Sequence, residues 1–270
     1  MIFVPKPRPA FAKTFTGNAK CFPAEDTYFL QYQAEWIKDG SLEKMQEKSR
    51  RVGISFATAY ERVQNHAKQE TTLDTWISSR DEMTARLFVK DCLKFAKVIN
   101  TAAKDQGASI MEDEKHQRHT VHALAFDNST MLNSVASNAD VFAGKGGDVI
   151  VDEIALRKDP EYVMGIGLST TDWGGRMASI STHRGSRNAF AQRIAKVRDG
   201  REPVNGIMKG RGDLAHVTLH RVTLEYALQC GFLYKLQSKL KPGDPRLAMD
   251  EAAYMDYIKS RSPNNEIYLQ

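Results

Sequence analysis

Two short segments separated by residues 56–147 carry the side chains that handle phosphate. The first, Lys48-Ser49-Arg50-Arg51-Val52-Gly53-Ile54-Ser55, gathers cations, a glycine and hydroxyls. The second, Asp148-Val149-Ile150-Val151-Asp152-Glu153, is a β-branched run closed by two carboxylates. Together they read as the halves of a nucleoside-triphosphate hydrolysis site. Laid on the pattern G-x-x-x-x-G-K-[ST], Gly53 and Ser55 match, while Lys48 stands at the first glycine and Ile54 at the lysine. The cation has therefore moved to the other end of the loop. The chemistry survives if the loop curls round an anion. Backbone N–H groups and a helix N-terminus then supply partial positive charge, Lys48 reaches in from the loop's start, and Ser55 offers a hydroxyl to Mg²⁺. Taken alone, the segment fits a basic turn before a surface helix equally well.

The acidic segment has the form of a buried strand ending in Asp152 and Glu153. An Asp at a strand end holds a Mg²⁺ shell in phosphate-loop ATPases, and an adjacent Glu can polarise the attacking water. Asp148 is out of character at the head of such a strand. A third segment, Met177 to Thr182, alternates like a strand and ends in the hydroxyls of Ser181 and Thr182. If it lies beside the acidic strand, those hydroxyls are placed to sense a γ-phosphate. A plain strand-to-turn junction explains them as well.

The elements that must position these groups follow from periodicity. Phe56–Val63 spaces its apolar residues as an amphipathic helix, which predicts a helix starting near Ile54. Strands are predicted at Thr75–Ser78, Val149–Val151, Met177–Thr182, Thr120–Phe126 and His216–Val222. A capping pattern at Ser79-Arg80-Asp81-Glu82 predicts a helix running to about Asn100, with Met83, Leu87, Cys92, Phe95 and Val98 among its apolar positions. Residues 190–197 and 254–258 read as helices, 101–118 as a polar loop or insertion, and 200–212 as a mobile Gly-rich stretch. Residues 42–47 make a poor central strand by composition. Strands alternating with helices argue for a parallel sheet flanked by helices.

Four pieces of this sequence, in this order, resemble the large subunit of bacteriophage terminase, the motor that packages DNA into the prohead. They are Tyr32-Gln33-Ala34-Glu35-Trp36-Ile37-Lys38-Asp39, the Lys48–Ser55 loop, Val151-Asp152-Glu153, and Ser181-Thr182-His183-Arg184-Gly185-Ser186-Arg187-Asn188-Ala189-Phe190. The displaced lysine is similar to the variant loop of lambda-like and Mu-like terminases. The resemblance implies an α/β P-loop NTPase fold of the ASCE type, with a mainly parallel central β-sheet flanked by helices. It implies ATP and Mg²⁺ as cofactors. Gln33 would recognise the adenine edge, with Tyr32 packed near the base. Lys48, with Arg50, Arg51 and Gly53, would bind phosphates. Ser55 and Asp152 would hold Mg²⁺, Glu153 would activate water, and Ser181 and Thr182 would couple hydrolysis to DNA movement. Partners would be double-stranded DNA, the portal protein, the small terminase subunit and further copies in a ring, in the host cytoplasm.

There are departures from the family's pattern. Ala143 stands where an arginine precedes the acidic strand in many members, so either Lys145 substitutes as a trans-acting finger or the finger comes from elsewhere. No second acidic cluster follows. We therefore expect an N-terminal extension over 1–27 and an ATPase domain over 28–270, without the family's C-terminal nuclease domain and without DNA cleavage. A helicase-like ATPase is a competing reading, as is a non-catalytic DNA or portal adaptor with a decayed nucleotide site.

Composition is compatible with this picture. Among 270 residues, 38 basic and 33 acidic side chains give a net charge of +5, mild enough for phosphate contacts without a polybasic tail. The candidate basic regions are Lys44 to Arg62 and Arg184 to Arg211. Cys21, Cys92 and Cys230 are scattered, which suggests neither a disulfide framework nor a zinc site and suits a reducing compartment. No apolar run is long enough to span a bilayer and no signal peptide is evident. His116, His119 and His122 would share a face only in a helix. In a strand that spacing alternates faces, so we expect no metal there.

Overall fold

The computed structural model describes residues 28–261 except 100, 102, 113–115, 137–139 and 141–142. The expected extension over 1–27 lies outside the described residues. The elements in order are α1 (Gln31–Lys38), β1 (Glu43–Lys48), α2 (Ile54–His66), β2 (Thr75–Ser79), α3 (Glu82–Val98), β3 (Ala103–Glu112), β4 (Arg118–Phe126), β5 (Met131–Ala136), β6 (Asp148–Asp152), α4 (Pro160–Thr170), β7 (Met177–Ser181), α5 (Ala189–Arg198), β8 (Ile207–Lys209), β9 (Val217–Val222), α6 (Leu224–Gln229), α7 (Phe232–Gln237) and α8 (Glu251–Ser260). The strands form one sheet in the order β3-β4-β5-β2-β6-β7-β1-β9-β8. From β5 to β9 the neighbours are parallel; β3, β4 and β8 add antiparallel edges. This is an α/β phosphate-loop NTPase fold, with β7 inserted between the loop strand β1 and the acidic strand β6.

Alternation along the central strands divides the core in two. Ile77, Ile150, Ala178 and Ile180 face a layer built on α1, α2 and α3, with Trp36, Val63 and Phe95. Trp76, Val149, Val151 and Met177 face Val163, Phe190 and Ile194 on α4 and α5. Because the parallel strands are covered on both sides, every residue of β1, β2, β6 and β7 is buried.

Strand β1 is the element its composition argued against. Glu-Lys-Met-Gln-Glu-Lys lies between β7 and β9, buried throughout. It is tolerated because its charges are paired on both faces. Lys44 Nζ lies 2.7 Å from Glu61 Oε1, donates to the Trp36 carbonyl at 2.9 Å and sits 4.1 Å from the Trp36 ring centroid. Glu43 accepts from two nitrogens of Arg193. Glu47 binds Arg198 and His183. The sequence pattern of a buried strand is absent because ion pairs, not apolar contacts, satisfy this one. Asp148, out of character in the sequence, is explained the same way: it binds Arg62 and accepts from the Arg176 N–H at 2.8 Å.

Three other expectations need correction. Residues 103–112, expected in a loop or insertion, form strand β3, hydrogen-bonded to β4. That strand is exposed on both faces, so it carries no apolar alternation to detect. The 200–212 stretch is not loose. It contains β8, paired with β9, and Arg201 donates to the carbonyls of Val197 and Lys209. Helix α3 buries Phe88, Val89, Cys92 and Phe95, whereas Met83, Leu87 and Val98 face outward; its cap is Asp81, which accepts from the Thr84 N–H at 2.8 Å. Strand β5, helices α4, α6 and α7 and the outer strand β8 have no counterpart in the sequence reading.

Two expected outcomes follow. Glu61→Gln leaves Lys44 and Arg62 short of a buried counter-charge, so it costs about 3–5 kcal/mol in denaturant titration; a loss within experimental error would show the network to be dispensable. His66 is stacked on Phe126 and hydrogen-bonded to Thr75 and Thr130. Burial, reinforced by the Arg62 charge, lowers its pKa from 6.5 to about 4. The unfolded chain therefore takes up this proton first. Stability present above about pH 6.5 should fall by up to about 3 kcal/mol as pH drops toward 4, and His66→Gln should flatten that slope.

Candidate functional site

The phosphate loop leaves β1 at Lys48 and enters α2 at Ile54. Its shape depends on two left-handed residues, Arg51 at φ 60° and Gly53 at φ 77°. Gly53 has a second reason to be glycine: a Cβ there would lie 2.6 Å from Gln33 Nε2. Helix α1 clamps the loop from beneath. Gln33 Nε2 donates to the carbonyls of Gly53 at 3.1 Å and Val52 at 3.3 Å, its Oε1 accepts from the Leu30 N–H at 3.0 Å, and Tyr32 Oη donates to the Val52 carbonyl at 2.8 Å. Both side chains, expected near an adenine, are thus buried against the loop backbone. Arg50 and Arg51 are exposed.

Parallel strands bring their carboxyl ends to one edge, where open α/β sheets bind ligands. Ser55 Oγ donates to Asp152 Oδ2 at 2.8 Å, and Lys48 Nζ lies 2.7 Å from Glu153 Oε1. The other carboxylate oxygen, Glu153 Oε2, accepts from the Thr182 N–H at 3.3 Å and from the hydroxyls of Thr182 and Ser181, each at 3.4 Å. Lys48, Ser55, Asp152, Glu153, Ser181 and Thr182, spread over the sequence, therefore meet in one cluster. Glu153 is also left-handed, at φ 56°, an uncommon conformation for a non-glycine and one that concentrates at functional sites.

The electrostatics separate the two acids. Burial raises the Asp152 pKa against the pull of Lys48, and the Glu153 charge adds to the rise. Burial also opposes ionisation of Glu153, but the Lys48 charge and hydrogen bond, with those from Thr182 and Ser181, bring it below the ordinary value. Glu153 is accordingly a carboxylate with both oxygens occupied. Asp152 Oδ1 is buried with no hydrogen-bond partner among the described residues. That orphaned oxygen, beside a hydroxyl, is a hard donor set that fits Mg²⁺.

Arg157 belongs to the site and was not foreseen. It donates to the carbonyls of Ser79 at 2.9 Å, Ser78 at 2.8 Å and Asp152 at 2.8 Å, stapling the ends of β2 and β6. Its only sequence signal is an arginine shortly after the acidic pair. Lys145 lies elsewhere. It is exposed three residues before β6 begins, at the opposite end of that strand from Asp152, on the order of 15 Å away. The basic regions also thin out. Lys44 and Arg62 are buried in ion pairs, and Arg193 and Arg198 are bound to Glu43 and Glu47, while Arg184 and Arg187 remain exposed.

No protein-family model matches the chain. It is 28% identical over 260 residues to the probable terminase large subunit gp28 of Escherichia phage Mu, covering 94% of this chain and 44% of that protein. It is 33% identical over 175 residues to the Mu-like prophage FluMu protein gp28 of Haemophilus influenzae, covering 64% of this chain and 34% of that one. The chain thus spans less than half the length of the curated relatives it matches. Among solved structures it is similar in fold to the large terminase of a thermophilic bacteriophage. The ADP complex of that terminase superposes with a TM-score of 0.53 at 13% identity, covering 79% of this chain and 50% of that one. A second crystal form gives 0.51 at 12%, covering 80% and 52%. The resemblance to terminase large subunits is borne out over 94% of this chain.

Gly53→Ala should expose the tightness of the loop. Left-handed backbone and the clash with Gln33 combine to cost about 1–3 kcal/mol, measured by denaturation. A variant as stable as the parent would mean that the loop relaxes freely.

Proposed function

We propose that this chain is the ATPase part of a Mu-type terminase large subunit, which hydrolyses ATP to drive double-stranded DNA into a prohead. The observation that carries this reading is the meeting of Lys48, Ser55, Asp152 and Glu153 at the carboxyl edge of β1 and β6. A lysine and a hydroxyl can hold phosphate and Mg²⁺, and two differently tuned acids can divide metal binding from water activation.

The roles follow from the contacts. The first turn of α2 leaves backbone N–H groups for phosphate oxygens, and Lys48 adds a full charge. Ser55 and Asp152 would hold Mg²⁺, which supplies charge neutralisation on the phosphates. Lys48 pairs with Glu153 Oε1 and so holds one oxygen of the base. Triphosphate oxygens competing for Lys48 would release Glu153 Oε1 toward water, while Ser181 and Thr182 still hold Oε2 in orientation. Gln33 and Tyr32 set the loop's shape from below, and through it the approach to the base.

The remaining roles rest on the resemblance to terminase large subunits. Double-stranded DNA, the portal protein, the small subunit and a ring of like subunits are the proposed partners, in the host cytoplasm. Lys145, exposed at the far edge of the sheet, can serve as a finger only toward a neighbouring subunit's site. Residues 28–270 are assigned to the ATPase domain, and DNA cleavage is not expected of them. Among the described residues no helix is long and apolar enough to cross a membrane.

The test is Mg²⁺-dependent binding of a non-hydrolysable ATP analogue. Lys48→Ala should weaken it at least about tenfold. Glu153→Gln frees Lys48 and should bind as well as the parent or better, with turnover down by about 10²–10⁴. Hydrolysis by Glu153→Gln at the parent's rate would remove the catalytic assignment.

A further inference from the structure

Beside the hydrolytic cluster, on the opposite face of β1, lies a second constellation. Strand alternation sends Lys48 toward the phosphate loop and its neighbour Glu47 toward α5. The Glu47 side chain is 7% exposed. It binds His183 through Oε1 and Arg198 through Oε2, and Arg221 Nε lies 3.6 Å from Oε1. Those partners come from the segment after β7, the last residue of α5, and β9. Burial opposes ionisation of Glu47, yet the His183 hydrogen bond and charge, with Arg198 and Arg221, hold its carboxyl below the ordinary value.

His183 directly follows Thr182, which binds Glu153, and Glu47 directly precedes Lys48, which binds the other oxygen of Glu153. The contacts close a circuit: Lys48 to Glu153, Glu153 to Thr182, one peptide bond to His183, His183 to Glu47, and one peptide bond back to Lys48. The circuit ties the end of β1 to the segment after β7 on both faces of the strand. Glu47 extends this tie, because Arg198 ends α5 and lines, with His183 and Arg201, a cleft of about 680 Å³ against the 185–186 turn and the 200–202 segment.

We propose that Glu47 and His183 form a positioning dyad that transmits the state of Lys48 and Glu153 to the 183–188 turn and α5. The proposal rests on the nucleotide-site reading above and assigns coupling to residues outside the hydrolytic cluster. When phosphate draws Lys48 from Glu153, the Glu47–His183 tie makes the segment after β7 follow β1 rather than relax alone. Its output is a movement of α5 and the adjoining cleft.

Hydrogen exchange by mass spectrometry tests this on the 270-residue chain, with and without Mg²⁺ and a non-hydrolysable ATP analogue. The parent should gain protection in 48–55 and change its exchange in 183–198. His183→Gln sits at a half-exposed position and should fold. It should bind the analogue within about threefold of the parent and keep the protection of 48–55, yet lose most of the change in 183–198. Glu47→Gln should do the same, with lower thermal stability. An unaltered 183–198 response in both variants overturns the dyad, as does a parent that protects 48–55 without any response there. A tenfold loss of binding in His183→Gln also overturns it, because the residue would then belong to the binding loop. A parent that binds no analogue removes the nucleotide reading, and the dyad with it.

Discussion

A strand reading Glu-Lys-Met-Gln-Glu-Lys can occupy the middle of a parallel sheet only if each charge meets its opposite before it leaves water. An unpaired buried ion costs several kcal/mol, and removing one partner of a buried pair costs about as much. Strand β1 meets this condition on both faces, with Glu61, Arg193, Arg198 and Glu153 as counter-ions and His183 as a further partner of Glu47. The rest of the architecture is arranged round that requirement. Helix α2 must present Glu61 inward, α5 must aim its arginines at β1, and the acidic strand must end with Glu153 within reach of Lys48. Such pairs specify geometry more than they add stability. Apolar residues would hold the sheet together as well, but they would not fix the distance between the phosphate loop and the base.

The same pairing explains how a displaced lysine can work. A lysine at the start of the loop lies at the end of β1, where its position is set by strand register instead of by the loop's conformation. Register places Glu47 opposite Ser181 and Gln46 opposite Ile180, so Lys48 ends level with the hydroxyls after β7. The loop itself is then free to be shaped by Arg51 and Gly53 in left-handed conformations and by the buried side chains of Gln33 and Tyr32. Strained backbone at Arg51 and Glu153 is held by the contacts around it, and it brings the acidic turn and the loop to one point.

Much of this was legible from residue types. Val149–Val151 and Met177–Thr182 read as strands because buried parallel strands are apolar and β-branched or alternate cleanly. The helix at Ile54 read through its apolar spacing. Where burial was satisfied by charge, as in β1, or was absent, as in β3, the hydrophobic pattern had nothing to report. Arg157 escaped notice for a related reason. Its partners are main-chain carbonyls of two strands, and carbonyls leave no mark in a sequence.

The amino-acid sequence by itself determined the chemistry on offer: a cation and a glycine before a hydroxyl, two acids closing a β-branched run, and hydroxyls closing another. Those groups are local, and their types follow from what they must bind. Only the tertiary structure decided which of them meet. It joined Lys48 to Glu153 and Ser55 to Asp152, committed Gln33 to the loop backbone, turned Lys44 and Arg62 inward, and set Glu47 against His183. Those choices depend on strand order and register. Both arise from long-range packing between segments far apart in the chain, which no short window of sequence encodes.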